Sequence, residues 1–168
     1  TEQLVRDADV TEGARAIGFT LGTPAVGMLG VVDDVLADRA FIAERATSAA
    51  ELGTLADLAR ASGGDGTSTP PPHLVADALA AAGLARAAGI STAAVRDGFR
   101  EFRTDAHRTA VVAEVEGVTW VDDSKATNPH AAQAALRAYP DIVWIAGGQL
   151  KGADVDDLVA EVAGRLRG

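Results

Sequence analysis

Apolar positions follow two different periods along this chain, and each change of period marks an element. Residues 2–8 read as the tail of a helix, and residues 14–20 as a strand. Met28 to Val32 and Val35 to Phe41 flank Asp33-Asp34, a pair suited to a hairpin turn between two strands. Residues 48–60 show no clean period. Ala61 to Pro72 is a Ser/Gly/Thr/Pro cluster, a loop by composition. An alanine-rich helix is predicted from His73 to Ala88, stopped by Gly89. Ser91 precedes an apolar run and can cap a second helix to about Phe102. These two helices would form a pair closing a domain.

After Arg103 the pattern changes. Ala110 to Val115 and Val118 to Val121 alternate around Glu116-Gly117, which predicts a β-hairpin. Asp122 to Asn128 is a polar loop, and Pro129 suits the first position of a helix to about Ala138. Ile142 to Ala146 is a short continuous apolar run, as in a buried parallel strand, ended by Gly147-Gly148. A final helix is predicted from Asp154 to Leu166, its acids early and Arg165 and Arg167 late, in the sense of the helix dipole. Hairpin, loop, helix, strand, glycine loop and helix in that order begin an α/β sheet with crossover helices. Such a unit wants further strands along its edge. The chain also opens on Thr1 rather than Met, so it is expected to be cut from something longer.

Composition narrows the function. The chain has 168 residues, enough for one domain or parts of two at about 100–200 residues each. Aromatic residues are only 4%, so Ala, Val, Leu and Ile must build the core. Formal charge is 15 − 24 = −9, which argues against nucleic acid and anionic membrane as partners. With no cysteine there is no disulfide, thiolate metal site or Cys nucleophile, as suits a cytoplasmic protein. No stretch reaches the roughly 20 apolar residues of a membrane helix, and the polar start is not a signal peptide.

Two loops carry the candidate chemistry. Of the 15 basic residues only Lys125 and Lys151 are lysine, and the one asparagine is Asn128. The loop Asp122-Asp123-Ser124-Lys125-Ala126-Thr127-Asn128 follows a strand and precedes a helix, so free backbone N–H groups face it. Its carboxylates, ammonium, two hydroxyls and amide could hold sugar hydroxyls and phosphate together. Helix capping would account for one or two of these residues. It does not account for Lys125 at a helix N-terminus, where a cation is disfavoured. The loop Gly147-Gly148-Gln149-Leu150-Lys151-Gly152 allows close backbone approach and places Lys151 before a helix; a plain strand-to-helix turn reads equally well. His107-Arg108 lies between the two halves and by its chemistry alone is a surface dipeptide. His73, His107 and His130 are scattered, so no metal site is expected.

The string Asp123-Ser124-Lys125-Ala126-Thr127-Asn128 resembles the signature of the Mur ligases, in the form found in their D-glutamate-adding members. Other segments resemble the family in the same order. Asp105-Ala106-His107-Arg108 is similar to its His-Arg step into the C-terminal domain. Ile145-Ala146-Gly147-Gly148 with Lys151-Gly152-Ala153-Asp154 is similar to its glycine-lysine loop. Ala14 to Phe41 is similar to the strand-rich part of its central domain. The resemblance covers essentially the whole chain. It implies an α/β fold in which residues 1–104 are the later part of a central ATPase domain. Residues 105–168 would then be the first half of a Rossmann-like C-terminal domain.

The resemblance also implies an activity: ATP-dependent addition of D-glutamate to UDP-N-acetylmuramoyl-L-alanine through an acyl phosphate, in peptidoglycan synthesis, by a cytoplasmic monomer using ATP and Mg2+. It assigns Lys125 to phosphate or acyl phosphate as the catalytic residue. His73, Arg108 and Asp123 fall to the nucleotide, Asp123 to its ribose hydroxyls. Ser124, Thr127, Asn128 and Lys151 fall to the substrates, with Thr127 and Lys151 on D-glutamate. The chain departs from the family pattern at Leu74, where an adenine-reading Asn usually follows the His, and at Asp77, where a later Asn of that motif stands. It also has no G-x-x-G-K-[ST] phosphate loop. The segment alone is therefore expected to be inactive. The alternative is a stand-alone, non-catalytic remnant that binds a nucleotide or a partner, an outcome Leu74 would favour.

Overall fold

A computed structural model describes residues 11–61, 66, 69–150 and 152–168. The expected helix over 2–8 and the side chain of Lys151 lie outside the described residues.

The first half carries a four-stranded sheet in sequential order, β1 (Gly18–Phe19), β2 (Met28–Val32), β3 (Val35–Asp38) and β4 (Ala50–Thr54). β1 runs parallel to β2, and the remaining pairs are antiparallel. The hairpin expected around Asp33-Asp34 forms with Val32 opposite Val35, and Asp33 takes the left-handed conformation the tight turn requires. Two expectations change here. The strand over 14–20 is only two residues long, because Ala14–Ile17 make no ladder. The segment 48–60 resolves into β4 running directly into helix α1 (Leu55–Ala61).

A reciprocal cap closes that junction. Thr54 accepts from the Asp57 N–H at 3.2 Å, while Asp57 accepts from the Thr54 N–H and hydroxyl, both at 3.0 Å. Burial pushes the Asp57 carboxyl up, but the Thr54 hydrogen bonds, that of Arg60 and the charge of Arg100 together bring it below its ordinary value.

Helices α2 (Pro72–Ala87) and α3 (Thr92–Glu101) form the expected pair. α2 ends in a Schellman motif: Ile90 N–H donates to the Ala85 carbonyl and Gly89 N–H to Arg86, both at 3.0 Å, with Gly89 at φ +84. Ser91 then caps α3 by accepting from Ala94 N–H at 3.2 Å. The core is contiguous over sheet and helices: Leu29, Leu36, Leu52, Leu58, Leu79, Val95 and Phe99 are its main members. Asp38 is wholly buried within it. It accepts from Ala40 and Phe41 N–H at 2.7 and 2.9 Å and from Arg86 of α2 at 3.0 Å, so a charged pair ties the helix to the sheet.

The second half has its own smaller cluster, Leu136, Leu158 and Val162, flanked by Ala132, Ile142, Trp144 and Leu166. β5 (Ala110–Val115) and β6 (Val118–Asp122) form the expected hairpin, with Glu116 and Gly117 both at positive φ as a type I′ turn requires. α4 (Pro129–Arg137) starts on the expected Asn-Pro step. The buried strand over 142–146 is corrected. Only Ile142 bridges a neighbour, Leu166, in parallel, and Val143 and Ile145 are 68% and 82% exposed. A parallel strand is buried only when helices cover both faces and strands pair both edges, and here one short segment lies alongside.

The final helix is also shorter than expected. α5 spans Asp156–Val162, after which Arg165–Gly168 runs beside Ile142–Trp144, with Ile142 N–H to Arg165 O at 2.9 Å and Trp144 N–H to Gly168 O at 2.9 Å. α5 is thus itself a crossover between two parallel segments. Arg165 and Arg167 therefore lie beyond it. Arg165 instead donates to the Arg137 and Tyr139 carbonyls at 3.0 and 2.9 Å, serving the C-terminus of α4. No helix among the described residues is long and apolar enough to cross a membrane.

Candidate functional site

A cleft of about 880 Å³ lies where α2 and α3 face the base of the hairpin and α4. Its walls are apolar, including Leu74, Ala78, Ile90, Phe99, Phe102 and Ala135. Its polar wall consists of His73, Asp77, Arg108, Asp123 and Lys125 together with Thr104, Asp105 and Thr109. Four residues singled out in the sequence, His73, Arg108, Asp123 and Lys125, thus meet in one cleft although 52 positions separate the first from the last. Ser124, Thr127 and Asn128 sit on the same loop without lining it.

Asp122, Asp123, Lys125 and Asn128 of the loop each have a local reason for their position. Asn128 caps α4, its Oδ1 accepting from Ala131 N–H at 2.9 Å. Lys125, disfavoured at the helix start, turns to the Asp105 carboxylate at 3.8 Å, which Arg108 also approaches at 3.6 Å. Both pairs are exposed, so each is worth about 0–1 kcal/mol. Ser124 N–H donates to Asp122 Oδ1 at 3.0 Å, and the His107 ring meets Asp122 Oδ2 at 2.6 Å. The Ser124 amide, the His107 ring and the Ser124 hydroxyl hold the Asp122 carboxyl down to about 2, so it is a carboxylate at neutral pH. One oxygen of Asp123 accepts from both the N–H and the hydroxyl of Thr109, at 2.8 and 3.2 Å.

Sequence reasoning missed Thr109. It is buried, and at φ +49 it occupies a conformation that a β-branched residue avoids; His107 is at φ +68. Two such residues store strain of order 1–3 kcal/mol each and persist only where their surroundings over-determine them. The signal available in the sequence was Thr109 following directly on the His-Arg pair. Leu74 and Asp77 both reach the cleft, so this wall offers a carboxylate but no side-chain amide. Among the described residues no group of three or more His, Cys, Asp or Glu is placed to hold a metal ion.

The cleft brings two cations, carboxylates and apolar walls together beside the strand-to-helix loop of a mixed α/β chain, and comparison with known proteins gives its class. Residues 107–167 match the family model described as Mur ligase, glutamate ligase domain, and the chain belongs to the Mur ligases. Over all 168 residues it is 60% identical to the UDP-N-acetylmuramoylalanine–D-glutamate ligase of Streptomyces avermitilis and equally to that of Streptomyces coelicolor, covering 34% of each. The ligase of the same name from Leifsonia xyli is 52% identical over 168 residues, with 31% of its length covered. The chain thus spans about a third of the length of the curated relatives it matches.

Proposed function

We propose that this chain is the part of a cytoplasmic, ATP-dependent ligase of peptidoglycan synthesis that joins the nucleotide site to the D-glutamate site. Residues 1–104 are the later part of its central ATP-binding domain and residues 105–168 the first half of its Rossmann-like C-terminal domain, a division supported by the two separate hydrophobic clusters. The reaction transfers the γ-phosphoryl group of ATP to the terminal carboxylate of UDP-N-acetylmuramoyl-L-alanine. The amine of D-glutamate attacks the resulting acyl phosphate, and phosphate leaves as the amide forms. The observation that carries this reading is the meeting of His73, Arg108, Asp123 and Lys125 around one cleft.

In it, Lys125 sets its ammonium against charge developing on the transferred phosphoryl oxygens, where fixed cations contribute most to such reactions. Arg108 binds the nucleotide phosphates, and Asp123 uses the carboxylate oxygen not engaged by Thr109 for ribose hydroxyls. Ser124, Thr127, Asn128 and Lys151 face the substrates, Thr127 and Lys151 binding D-glutamate. Magnesium accompanies the nucleotide and takes its protein ligands from other parts of the enzyme. The segment by itself does not ligate, because it holds no glycine-rich phosphate loop.

The test is a chimera in which residues 1–168 replace the aligned segment of the S. avermitilis ligase. ATP-dependent ligation is expected, and Lys125→Ala should lower kcat roughly 100- to 1000-fold with unchanged circular dichroism. Full turnover in the variant refutes the role of Lys125. A folded but inactive parent chimera refutes the ligase reading.

A further inference from the structure

We propose that Asp122 and His107 are a positioning pair that holds the Lys125 loop and the Arg108 backbone in register across the base of the hairpin. The inference rests on the ligase reading for its consequence but on geometry for its existence. Three hydrogen bonds close a ring. Asp122 uses one carboxylate oxygen for the His107 ring at 2.6 Å and the other for the Ser124 N–H at 3.0 Å. The Lys125 N–H returns to the His107 carbonyl at 3.1 Å. Beside this ring, Thr109 holds Asp123 through both its N–H and its hydroxyl.

Arg108 is therefore flanked by two residues that are each pinned to the Lys125 loop and each held at positive φ, at +68 and +49. Strained residues at this density mark a backbone fixed for a purpose rather than one at rest. Neither Asp122 nor His107 lines the cleft; both act through the two cations that do.

The ring fixes the tautomer of His107. A carboxylate only accepts, so Nδ1 must carry the proton. Nitrogen-detected NMR of the chain's three histidines tests this on the chain itself: His107 is expected in its Nδ1–H form at pH 8, and Asp122→Ala should return it to Nε2–H and speed exchange of the Lys125 amide. In the chimera, Asp122→Ala should lower kcat about 10- to 100-fold, the scale of a misplaced catalytic group, with KM for the UDP-sugar substrate within about twofold.

Asp122→Asn separates positioning from folding. Its carbonyl still accepts from Ser124 and its amide can donate to Nδ1, so the ring survives with the tautomer flipped, and kcat should recover to within about threefold. A wild-type Nε2–H tautomer, or unaltered kcat in Asp122→Ala, overturns the proposal. An inactive parent chimera would sink the ligase reading alone, leaving the tautomer and the Lys125 amide to decide the pair.

Discussion

Removing the Asp38 carboxylate tests the tie between the first-half sheet and the helix that brings His73 to the cleft. Asp38 is fully buried at the end of β3 and accepts three hydrogen bonds, two from backbone amides and one from Arg86. In Asp38→Ala the amides of Ala40 and Phe41 lose their acceptor, and Arg86, whose side chain is 14% exposed, loses its counter-charge and keeps the Ile90 carbonyl as acceptor. Breaking one side of a buried pair costs about 3–5 kcal/mol. The guanidinium still lies 5.9 Å from the Phe41 ring centre, a contact worth about 0.5–1 kcal/mol, which offsets only a little of that. A loss near 3 kcal/mol is a large part of the roughly 5–15 kcal/mol that holds a domain. Urea unfolding followed by far-ultraviolet circular dichroism measures it. Tryptophan fluorescence gives an internal control, since Trp120 and Trp144 both lie in the second half. The dichroism midpoint should fall sharply while the fluorescence midpoint moves little. Asp38→Asn, which keeps an acceptor for the two amides, should cost clearly less. A change below about 1 kcal/mol in Asp38→Ala would refute the assigned role.

Three further outcomes follow from the geometry. Asp57 has a depressed folded value, so its stabilisation is present above the ordinary carboxylate range and is lost as pH falls through the folded value; Asp57→Asn should flatten the stability profile below about pH 4, and an unchanged acid limb would contradict the capping account. Gly30→Ala would bring a Cβ to 2.5 Å from the Gly22 carbonyl oxygen, an overpacking cost of about 1–3 kcal/mol readable as a lower urea midpoint, and a neutral result would show that the β1–β2 connection yields easily. Asn128→Ala should cost about 1 kcal/mol as a lost cap, with Asn128→Asp restoring it; equal losses in both would point away from capping.

Where local chemistry decides the backbone, the sequence was legible. Asp33-Asp34, Glu116-Gly117, Gly89, Ser91 and Asn128-Pro129 each sit at the turn or cap their residue types predict. Where a long-range partner decides, it was not. The run Ile142–Ala146 has the composition of a buried strand, but composition cannot report whether anything lies beside it, and the segment stays exposed. Arg165 looked like the end of its own helix because the dipole rule is local; it serves α4 instead, across 28 positions. Of the candidate site, the DSKATN loop and His107-Arg108 were visible as sequence. Their joining through Asp122, Thr109 and Asp123 needs the hairpin to bring positions about 15 apart together. Thr109 offered only its place after His107-Arg108, because strain at φ +49 belongs to the fold and not to the residue type.

The two cations of the cleft are held by a weak, exposed partner. The chain carries a net charge of −9, yet Lys125 and Arg108 converge on a single carboxylate, Asp105, which is 70% exposed and stands 3.8 and 3.6 Å from them. Had that partner been buried, displacing it would cost several kcal/mol, and the cations would be structural. Exposed as it is, each pair is worth about 0–1 kcal/mol and is screened by salt. On the proposed reading, a polyphosphate entering the cleft would exchange a weak, solvated partner for one bearing several charges, so little binding energy would be lost in releasing the side chains. The backbone beneath them follows the opposite rule. It is stitched by hydrogen bonds that the Asp122 and Asp123 carboxylates accept, and it includes two strained residues. On the ligase reading proposed above, exposed cation heads over a hydrogen-bonded backbone suit phosphoryl transfer, in which such groups act by position and charge.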